Sequence, residues 1–361
     1  MASGVKRILV APLDWGLGHS SRCVPLIQYL QGLGHKVVVA GNDWQRRFIK
    51  GSFPGIETID LPGYNISYSK SGSGFVFAMF RQMPRLLAAI RQENDWLIEQ
   101  TARQGFDGII SDNRYGLFNK KIPSVIMTHQ LSVRTGLGQV ADDMLRRLHY
   151  KYLQRFSKCW VVDVASRESM AGNLSHPKVP PVNAAYIGLL SQFEVREERG
   201  GEHLLVLLSG PEPQRTLLSQ MLWEQVLGSK AKVVFVEGSN NSQRPANIPE
   251  HISWYGKVTR KDLQPLLQNA SMVVCRSGYS TLMDLVAMNK KAIVVPTPGQ
   301  TEQKYLAKHL HREGVFFACS QRNFDLKKVL DNAKLFPFKE LALHHAFDDH
   351  KAIIDSWLKT L

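Results

Sequence analysis

The sequence predicts an α/β protein built from two parallel sheets, each covered by helices. In the first half, apolar runs such as Lys6–Ala11 and His35–Ala40 alternate with stretches of helical periodicity, a pattern typical of parallel strands joined by helices. The pattern starts again at His203–Leu208. With 361 residues, the chain is also too long for one ordinary hydrophobic core. We therefore expect two similar domains, with the carboxyl ends of both sheets facing a shared cleft where ligands bind.

Both halves supply the elements of such sheets in order. The first half is predicted to contain strands Lys6–Ala11, His35–Ala40, Phe106–Ser111, Pro123–Thr128 and Cys159–Val164, and helices Ser20–Leu33, Phe77–Gln104 and Val140–Phe156. The strands predicted in the second half are His203–Leu208, Lys232–Val236, Ile252–Tyr255, Met272–Cys275 and Ala292–Pro296. The charged, non-periodic stretch Ser191–Glu202 is the predicted linker. We thus expect domains at 1–190 and 191–340, and a helical segment at 341–361 that packs back across the domain junction.

The charge of the chain restricts its partners. The net charge is +14, of which residues 1–190 carry +10 and residues 191–361 carry +4. A basic surface favours anionic partners such as phosphates or anionic lipid, although it also serves simply to keep a protein in solution. The sequence has neither zinc-finger spacing nor an RNP-like signature, so we expect no nucleic-acid partner.

Targeting and cysteine patterns favour a cytoplasmic location. The first ten residues lack a signal-peptide core, and no apolar run approaches the ~18–20 residues that span a bilayer. The cysteines, Cys23, Cys159, Cys275 and Cys319, show no paired spacing. We therefore expect reduced thiols, and neither a zinc site nor a disulfide framework.

The first glycine-rich loop carries a candidate base. It reads DWGLGHSSR over Asp14–Arg22, and Gly16 and Gly18 let the backbone turn tightly beside a helix N-terminus that favours anions. His19 follows at the junction and is suited to accept a proton near neutral pH. A helix-capping loop is the structural alternative. We expect His19 to be catalytic. The two glycines should line the acceptor side of the cleft, where the group that gives its proton to His19 binds.

Two strand ends supply further candidates. Asp112 follows the strand Phe106–Ser111, and His129 follows Pro123–Thr128. Because parallel strands end at one edge of a sheet, both point to the same side as His19. We expect Asp112 to orient His19 and stabilise its protonated form, and His129 to lie on the acceptor side; a strand-end turn is the alternative for Asp112.

Loops of the second half are candidates for binding the donor, a ligand that carries a diphosphate, a ribose and a sugar. The stretch RSGYSTLMD follows a strand and opens a helix, so its amides and hydroxyls suit a diphosphate at the positive helix end. Asp284 at its end suits the hydroxyls of a ribose, although a serine N-cap with a solvated aspartate is the alternative. The next strand ends in Pro296–Gln303, where Gln303 can both donate to and accept from sugar hydroxyls. The candidate donor-binding residues are Gly210, Arg215, Arg276, Ser277, Gly278, Tyr279, Ser280, Asp284 and Gln303.

The run RSGYSTLMDLVAMNKKAIVVPTPGQTEQ resembles the donor-binding half of GT-B glycosyltransferases, in particular family 28, and the loop GLGHSSR resembles the start of that group. The resemblance implies two Rossmann-like domains and a UDP-sugar donor. Carried over by position, the resemblance implies that Ser277 and Gly278 bind the diphosphate and that Asp284 binds the ribose. It further implies that Tyr255–Leu263 contacts the base and that Gln303 recognises the sugar. His19 would lie at the reacting centre.

Two loops depart from the family pattern. Family 28 includes the N-acetylglucosaminyltransferases that complete lipid II in peptidoglycan synthesis. The first loop here reads DWGLGH in place of a GGTGGH-like loop, and Ser209–Pro211 replaces a GGS-like turn, which argues against peptidoglycan synthesis as the function of this chain. No Asp-x-Asp motif presents itself as a metal site. We expect an inverting transfer without metal or cofactor, in which helix N-termini and Arg215 or Arg276 stabilise the departing diphosphate. A nucleotide-sugar hydrolase with the related loop G-x-G-H-x-x-R, and a non-catalytic nucleotide-sugar-binding protein, are the alternatives.

A basic and apolar region suggests where the acceptor binds. Phe75–Ile90 interleaves large apolar residues with Arg81 and Arg85. The cations that crowd a second predicted helix downstream are Arg146, Arg147, Lys151, Arg155 and Lys158. Such segments suit the interface of an anionic membrane, so one expectation is a lipid-linked or anionic acceptor at the inner membrane face. The alternative is that Phe75–Ile90 is a core-facing helix kinked at Pro84.

Overall fold

The computed structural model describes residues 4–64, 75–133, 138–166, 168–194, 200–239 and 243–361, with the backbone alone for 75–82. These residues form two compact units. The first contains residues 4–64, 76–192 and 345–361, and the second contains the described part of 193–344. Each unit is an α/β structure, as the alternation of strands and helices in the sequence predicts.

The first unit is built on a parallel sheet. Its elements are β1 Arg7–Pro12, α1 Leu17–Gly32, β2 Lys36–Gly41, α2 Asp43–Ser52, β3 Glu57–Asp60, α3 Phe75–Gln104, β4 Gly108–Asp112, β5 Ser124–Thr128, α4 Gln139–Leu153, β6 Lys158–Val161 and β7 Ala184–Tyr186. The strand order is β3-β2-β1-β4-β5-β6-β7, and every pair is parallel. The order reverses between β1 and β4, where open sheets of this class bind ligands at the carboxyl ends. Pro12 is paired with Asp112, so those two strand ends are neighbours.

The second unit repeats this plan. Its elements are β8 His203–Leu207, α5 Gln214–Leu227, β9 Val233–Val236, β10 Ile252–Tyr255, α6 Arg260–Gln268, β11 Ala270–Cys275, α7 Tyr279–Ala287, β12 Ala292–Val294, α8 Thr301–Arg312, β13 Phe317–Ala318 and α9 Leu326–Lys334. The strand order is β10-β9-β8-β11-β12-β13, again parallel throughout. Here the order reverses between β8 and β11, and the loops after these strands carry the predicted donor-binding residues.

The central strands form where the sequence is apolar without interruption. Helices cover both faces of each sheet, so these strands are buried on both sides and show no alternation. In the first unit Leu9 and Ile109 pack with Leu97 of α3 in one cluster, and in the second Val206 and Leu222 belong to the corresponding cluster. Each such side chain contributes about 1.5–3 kcal/mol when fully buried, which makes the central strands a firm base for the loops that follow them.

Three of the four edge strands are absent from the sequence prediction, whereas β10 has the predicted bounds. Strands β3, β7 and β13 are only four, three and two residues long and mostly partly exposed, so they lack the apolar run on which the prediction relied. Helix α1 begins at Leu17 rather than Ser20. Strand β6 ends at Val161 rather than Val164, because the buried carboxylate of Asp163 accepts the N–H groups of Val164, Met170 and Ala171 and turns the chain.

The end of the chain belongs to the first unit. After a 3₁₀ turn over His344–Phe347, α10 spans Asp349–Leu358. Trp357 meets Trp160 edge to face with 5.5 Å between the ring centroids, and the Tyr29 hydroxyl donates to Asp355 at 2.7 Å. These contacts fasten α10 to α1 and β6.

All four cysteines are free thiols. Burial raises the pKa of Cys159 and of Cys275 to about 12, so both thiols are protonated at neutral pH. Among the helices of the described ranges, none combines the length and the apolar character that crossing a bilayer requires.

Candidate active site

The first glycine-rich loop places His19 beside the carboxyl ends of β1 and β4. Gly16 caps α1 with φ of 135°, a conformation that residues with a side chain rarely adopt. The helix therefore begins directly after the loop, and His19 lies in its first turn. Its side chain is 18% exposed, whereas Asp112, at the end of β4, is fully buried. The two residues are brought together as the sequence predicts.

Asp112 holds two side chains of α1. Its Oδ2 atom is 2.9 Å from Nδ1 of His19 and accepts a hydrogen bond from Nε of Arg22 at 3.0 Å, while its Oδ1 accepts from Nη2 of Arg22. Arg22 lies one helical turn after His19 and is only 2% exposed. Its Nη1 is 3.1 Å from Nδ1 of His129, at the end of β5. The four side chains form one connected cluster.

The charges of this cluster suit a base. Burial raises the pKa of Asp112, but the attraction of Arg22 and His19 outweighs it and brings the pKa to about 2. Burial lowers the pKa of His19, and Arg22 and His129 lower it further against the opposing effect of Asp112. Near neutral pH, His19 is therefore neutral beside an ionised carboxylate, the state in which an imidazole can accept a proton.

Arg22 is the residue that sequence reasoning missed. The loop pattern G-x-G-H-x-x-R contains it, but the pattern alone indicates no role for it. The signal was its spacing, because residues i and i+3 of a helix lie on the same face, so an arginine three residues after His19 points to the same strand ends.

A second buried ion pair holds the neighbouring loops. Nε of Arg114 donates to Glu93 at 2.5 Å, and both side chains are almost completely buried. The other carboxylate oxygen of Glu93 accepts from the Tyr64 hydroxyl at 2.6 Å and from the N–H of Gly116 at 2.7 Å. This network joins α3 to the loops after β3 and β4, and so fixes the turn directly after Asp112.

In the second unit, the loop between β11 and α7 has an open side. Gly278 caps α7, and a Cβ atom built there meets nothing within 4 Å. Ser277 is fully buried, and its hydroxyl donates to the backbone oxygen of Gln303 at 2.9 Å. Tyr279 and Ser280 form the first turn of α7. The loop therefore offers backbone amides at a helix N-terminus, while the Ser277 hydroxyl is occupied by α8.

Asp284 and Gln303 have further partners in this unit. Asp284 is 8% exposed. Burial lowers the pKa of Arg260, at the start of α6, while the attraction of Asp284 and Glu194 raises it. The amide oxygen of Gln303 accepts the N–H of Thr297 at 2.9 Å, so this oxygen is held by the loop between β12 and α8.

The two arginines predicted near a diphosphate are held by backbone oxygens. Arg276 is 2% exposed and donates to Val295 at 3.2 Å and to Gln214 at 2.7 Å. Burial lowers its pKa to about 10, so it stays charged at neutral pH. Arg215 donates to Gly238 at 2.6 Å and pairs with Glu212.

The other predicted positions fall in the same two regions. Gly18 lies in the first turn of α1, next to His19, and Gly210 follows β8 with φ of 109°. In the described parts of the chain, no group of three His, Cys, Asp or Glu side chains is arranged to hold a metal ion.

Sequence comparison relates the chain to known enzymes. Residues 205–352 match the glycosyltransferase family 28 C-terminal domain. The UDP-N-acetylglucosamine–N-acetylmuramyl-(pentapeptide) pyrophosphoryl-undecaprenol N-acetylglucosamine transferase of Lawsonia intracellularis is 24% identical over 242 residues, 64% of this chain and 63% of that protein. The transferase of the same name from Pasteurella multocida is 24% identical over 339 residues, 91% of this chain and 88% of that protein. The chain thus spans less than two thirds of the first relative and most of the second.

Solved structures share the fold over almost the whole chain. The glycotransferase of kitacinnamycin superposes with a TM-score of 0.68 at 14% identity, over 99% of this chain and 96% of that one. The calicheamicin glycosyltransferase CalG4 gives 0.68 at 12% identity, over 99% and 100%, and SsfS6 of Streptomyces sp. SF2575, solved with thymidine diphosphate, gives 0.61 at 16%, over 97% and 99%. The family 28 match over residues 205–352 and this shared fold support a glycosyltransferase of the GT-B fold that is similar to family 28.

Proposed function

We propose that the chain transfers a sugar from a UDP-sugar to an acceptor hydroxyl, with inversion at the anomeric carbon and without a metal ion. The first unit activates the acceptor and the second binds the donor. The observation that carries this proposal is the cluster of His19, Asp112 and Arg22 at the end of β4. A partly exposed imidazole held on one side by an ionised, fully buried carboxylate is arranged as a general base.

The reaction proposed for this base is a single displacement. Nε2 of His19 takes the proton of the acceptor hydroxyl as its oxygen forms a bond to the anomeric carbon. The bond between that carbon and the diphosphate oxygen breaks, and the nucleoside diphosphate leaves with the electron pair. Asp112 stabilises the imidazolium that results, because its carboxylate faces Nδ1 of the ring at 2.9 Å.

Donor binding is assigned to the loops after β8, β11 and β12. The open N-terminus of α7 supplies amides for the diphosphate through Ser277–Ser280, and helix ends of this kind attract anions. The carboxylate of Asp284 takes the ribose hydroxyls, and the NH₂ group of Gln303 donates to the sugar. Arg276 adds fixed positive charge close to the same loops, which stabilises a departing diphosphate without a metal ion, whereas the charge of Arg215 is balanced by Glu212.

Incubation with single nucleotide-sugars tests the proposal. UDP-, TDP- and GDP-sugars are compared, since SsfS6 was solved with thymidine diphosphate. We expect nucleoside diphosphate release from the UDP-sugar to depend on an added acceptor and to be unchanged by EDTA. His19→Ala should lower turnover by on the order of 10²–10⁴-fold with UDP affinity retained. Release of free sugar without acceptor would indicate a nucleotide-sugar hydrolase instead, and binding without turnover under any acceptor would indicate a non-catalytic protein.

Helix α4 favours an acceptor presented at an anionic membrane. Val140, Met144 and Leu148 lie four residues apart on this helix and are 77%, 68% and 43% exposed, so they form one apolar stripe. Arg147 and Lys151 are exposed on the same helix. An apolar stripe flanked by cations suits the membrane interface, where each cation contributes about 1 kcal/mol on anionic lipid. The other predicted contact, Phe75–Ile90, is the start of α3, and its side chains up to residue 82 lie outside the described residues.

Vesicle sedimentation tests this assignment. The protein should pellet with vesicles that contain phosphatidylglycerol, remain in the supernatant with phosphatidylcholine alone, and be released as the salt concentration rises. Met144→Glu should abolish pelleting, whereas Ile98→Glu, at a residue of α3 that is 57% exposed, should not. Equal binding of both variants would show that α4 is not the contact.

A further inference from the structure

Arg22 occupies an unusual position for an arginine. It is 2% exposed, and its guanidinium contacts one carboxylate and two imidazoles, those of Asp112, His19 and His129. The imidazole of His19 becomes a cation when it is protonated, so Arg22 opposes its protonation. An ion pair with Asp112 does not require contact with an imidazole, so the contacts of Arg22 with His19 and His129 indicate a further role.

The hydrogen bonds of Arg22 and Asp112 determine where the protons of the two imidazoles lie. A guanidinium can donate but cannot accept, so Nδ1 of His129, 3.1 Å from Nη1, must be the acceptor, and the proton of neutral His129 is on Nε2. Nδ1 of His19 lies 3.0 Å from Nη2 of Arg22 and 2.9 Å from Oδ2 of Asp112. Since bonds to an ionised acceptor are the stronger ones, the His19 proton points to Asp112. The two rings are thus opposite tautomers, and Nε2 of His19 carries a lone pair.

Arg22 also balances the charge around His19. A carboxylate alone next to an imidazole favours the protonated ring, which would occupy the base before the acceptor arrives. The groups that face His19 are Asp112 from β4, Arg22 from its own helix and His129 from the end of β5. With both rings neutral, Arg22 and Asp112 cancel, and a proton on His19 gives the buried cluster a net positive charge. The neighbouring Cys23 stays a neutral thiol, because burial raises its pKa well above the usual value.

We propose that Arg22 is a positioning residue that keeps His19 unprotonated at rest, holds the Asp112 carboxylate through which the lone pair of His19 is directed outward at Nε2, and fixes His129 in the opposite tautomer. This inference rests on the proposed role of His19 as the base. The acceptor proton then moves to Nε2 of His19, which carries no proton at rest. Asp112 stabilises the imidazolium only while the transfer takes place.

Titration of the imidazoles by NMR tests the proposal without any activity assay. In the wild-type protein with ¹⁵N-labelled histidine, Nδ1 of His129 should carry no proton and Nδ1 of His19 should carry one at pH 7.5. Arg22→Met should raise the pKa of His19 by about one to two units, the range for a neighbouring charge. Arg22→Lys keeps a cation but loses the planar fork, so the pKa of His19 should stay low while both tautomers become mixed.

Activity gives a second, separate result. In Arg22→Met, the acidic limb of the pH profile of kcat/KM should move to higher pH by the same amount as the pKa of His19. In Arg22→Lys, kcat should fall at least tenfold without such a shift in the pH profile. Should Arg22→Met not fold, Arg22→Met combined with Asp112→Asn removes both charges and should leave a neutral His19. An Nδ1 proton on His129 in the wild type, or an unchanged His19 pKa in Arg22→Met, would overturn the inference. Correct tautomers in a protein without transferase activity would refute the proposed function alone.

Discussion

The buried histidines of the first unit predict a loss of stability in mild acid. Burial, with Lys351 adding to it, lowers the pKa of His350 in α10 to about 4, and burial lowers the pKa of His149 in α4 to about 4. An unfolded chain binds these protons at about 6.5. Because the folded pKa is the lower one, protonation favours the unfolded chain, and stability falls as the pH drops from about 6.5 to about 4.

His350→Phe isolates one of these contributions. The side chain of His350 is 3% exposed and meets Tyr29 edge to face at 5.9 Å, an arrangement that a phenyl ring can keep without titrating. From the pKa values of about 6.5 and about 4, the wild type should lose about 2 kcal/mol more than the variant between pH 7.5 and pH 5. Near neutral pH, the two proteins should differ little in the pH dependence of their stability.

Urea unfolding at the two pH values measures this difference. Trp357 and Trp160 form an edge-to-face pair at α10, so near-UV circular dichroism reports on the loss of this contact. With a slope of about 2 kcal/mol per molar urea, the midpoint of the wild type should shift by about 1 M more than that of His350→Phe. The matched control is His345→Phe, at an exposed histidine five residues earlier, which should shift as the wild type does. Equal shifts in the wild type and His350→Phe would refute the argument.

Two further substitutions separate ligand binding from stability. Asp284→Ala should reduce the rise in Tm that UDP produces by mass action while leaving the Tm of the ligand-free protein nearly unchanged. The control is Asp331→Ala, at an exposed residue elsewhere in the second unit, which should respond to UDP as the wild type does. Glu93→Gln removes the charge that partners the buried Arg114 and should lower the free energy of unfolding by about 3–5 kcal/mol. Its control, Glu99→Gln in an exposed pair with Arg103, should cost less than about 1 kcal/mol, and equal losses in urea unfolding would contradict the role given to burial.

The parts of the fold that the sequence predicted are those in which local pattern and tertiary burial agree. Strands such as Lys36–Gly41 are buried on both faces, and the continuous run of apolar residues in their sequence predicts this burial. His19 and Asp112 were found by a rule of topology, since residues that follow neighbouring parallel strands meet at one edge. The short edge strands β3, β7 and β13 carry no such signal, because their pairing depends on the sheet that they join.

Long-range hydrogen bonds determine the roles that local sequence cannot show. An arginine in an amphipathic helix normally lies at the surface, and only the pairing of Arg22 with Asp112, 90 residues away, explains its burial. Arg276 gives the opposite lesson. It stands next to the predicted diphosphate loop, yet its guanidinium is held by backbone oxygens of Gln214 and Val295, partners that its position in the sequence does not reveal.

The chemistry proposed here is divided between the units in a way that can be tested. The groups that set the protonation of His19, namely Asp112, Arg22 and His129, all belong to the first unit, whereas the loops assigned to the donor belong to the second. Asp284→Ala should therefore weaken UDP binding without moving the pKa of His19, and His19→Ala should stop transfer without weakening UDP binding. A shift in the His19 titration in Asp284→Ala would mean that donor binding and acceptor activation are coupled, and that the base is set by both units together.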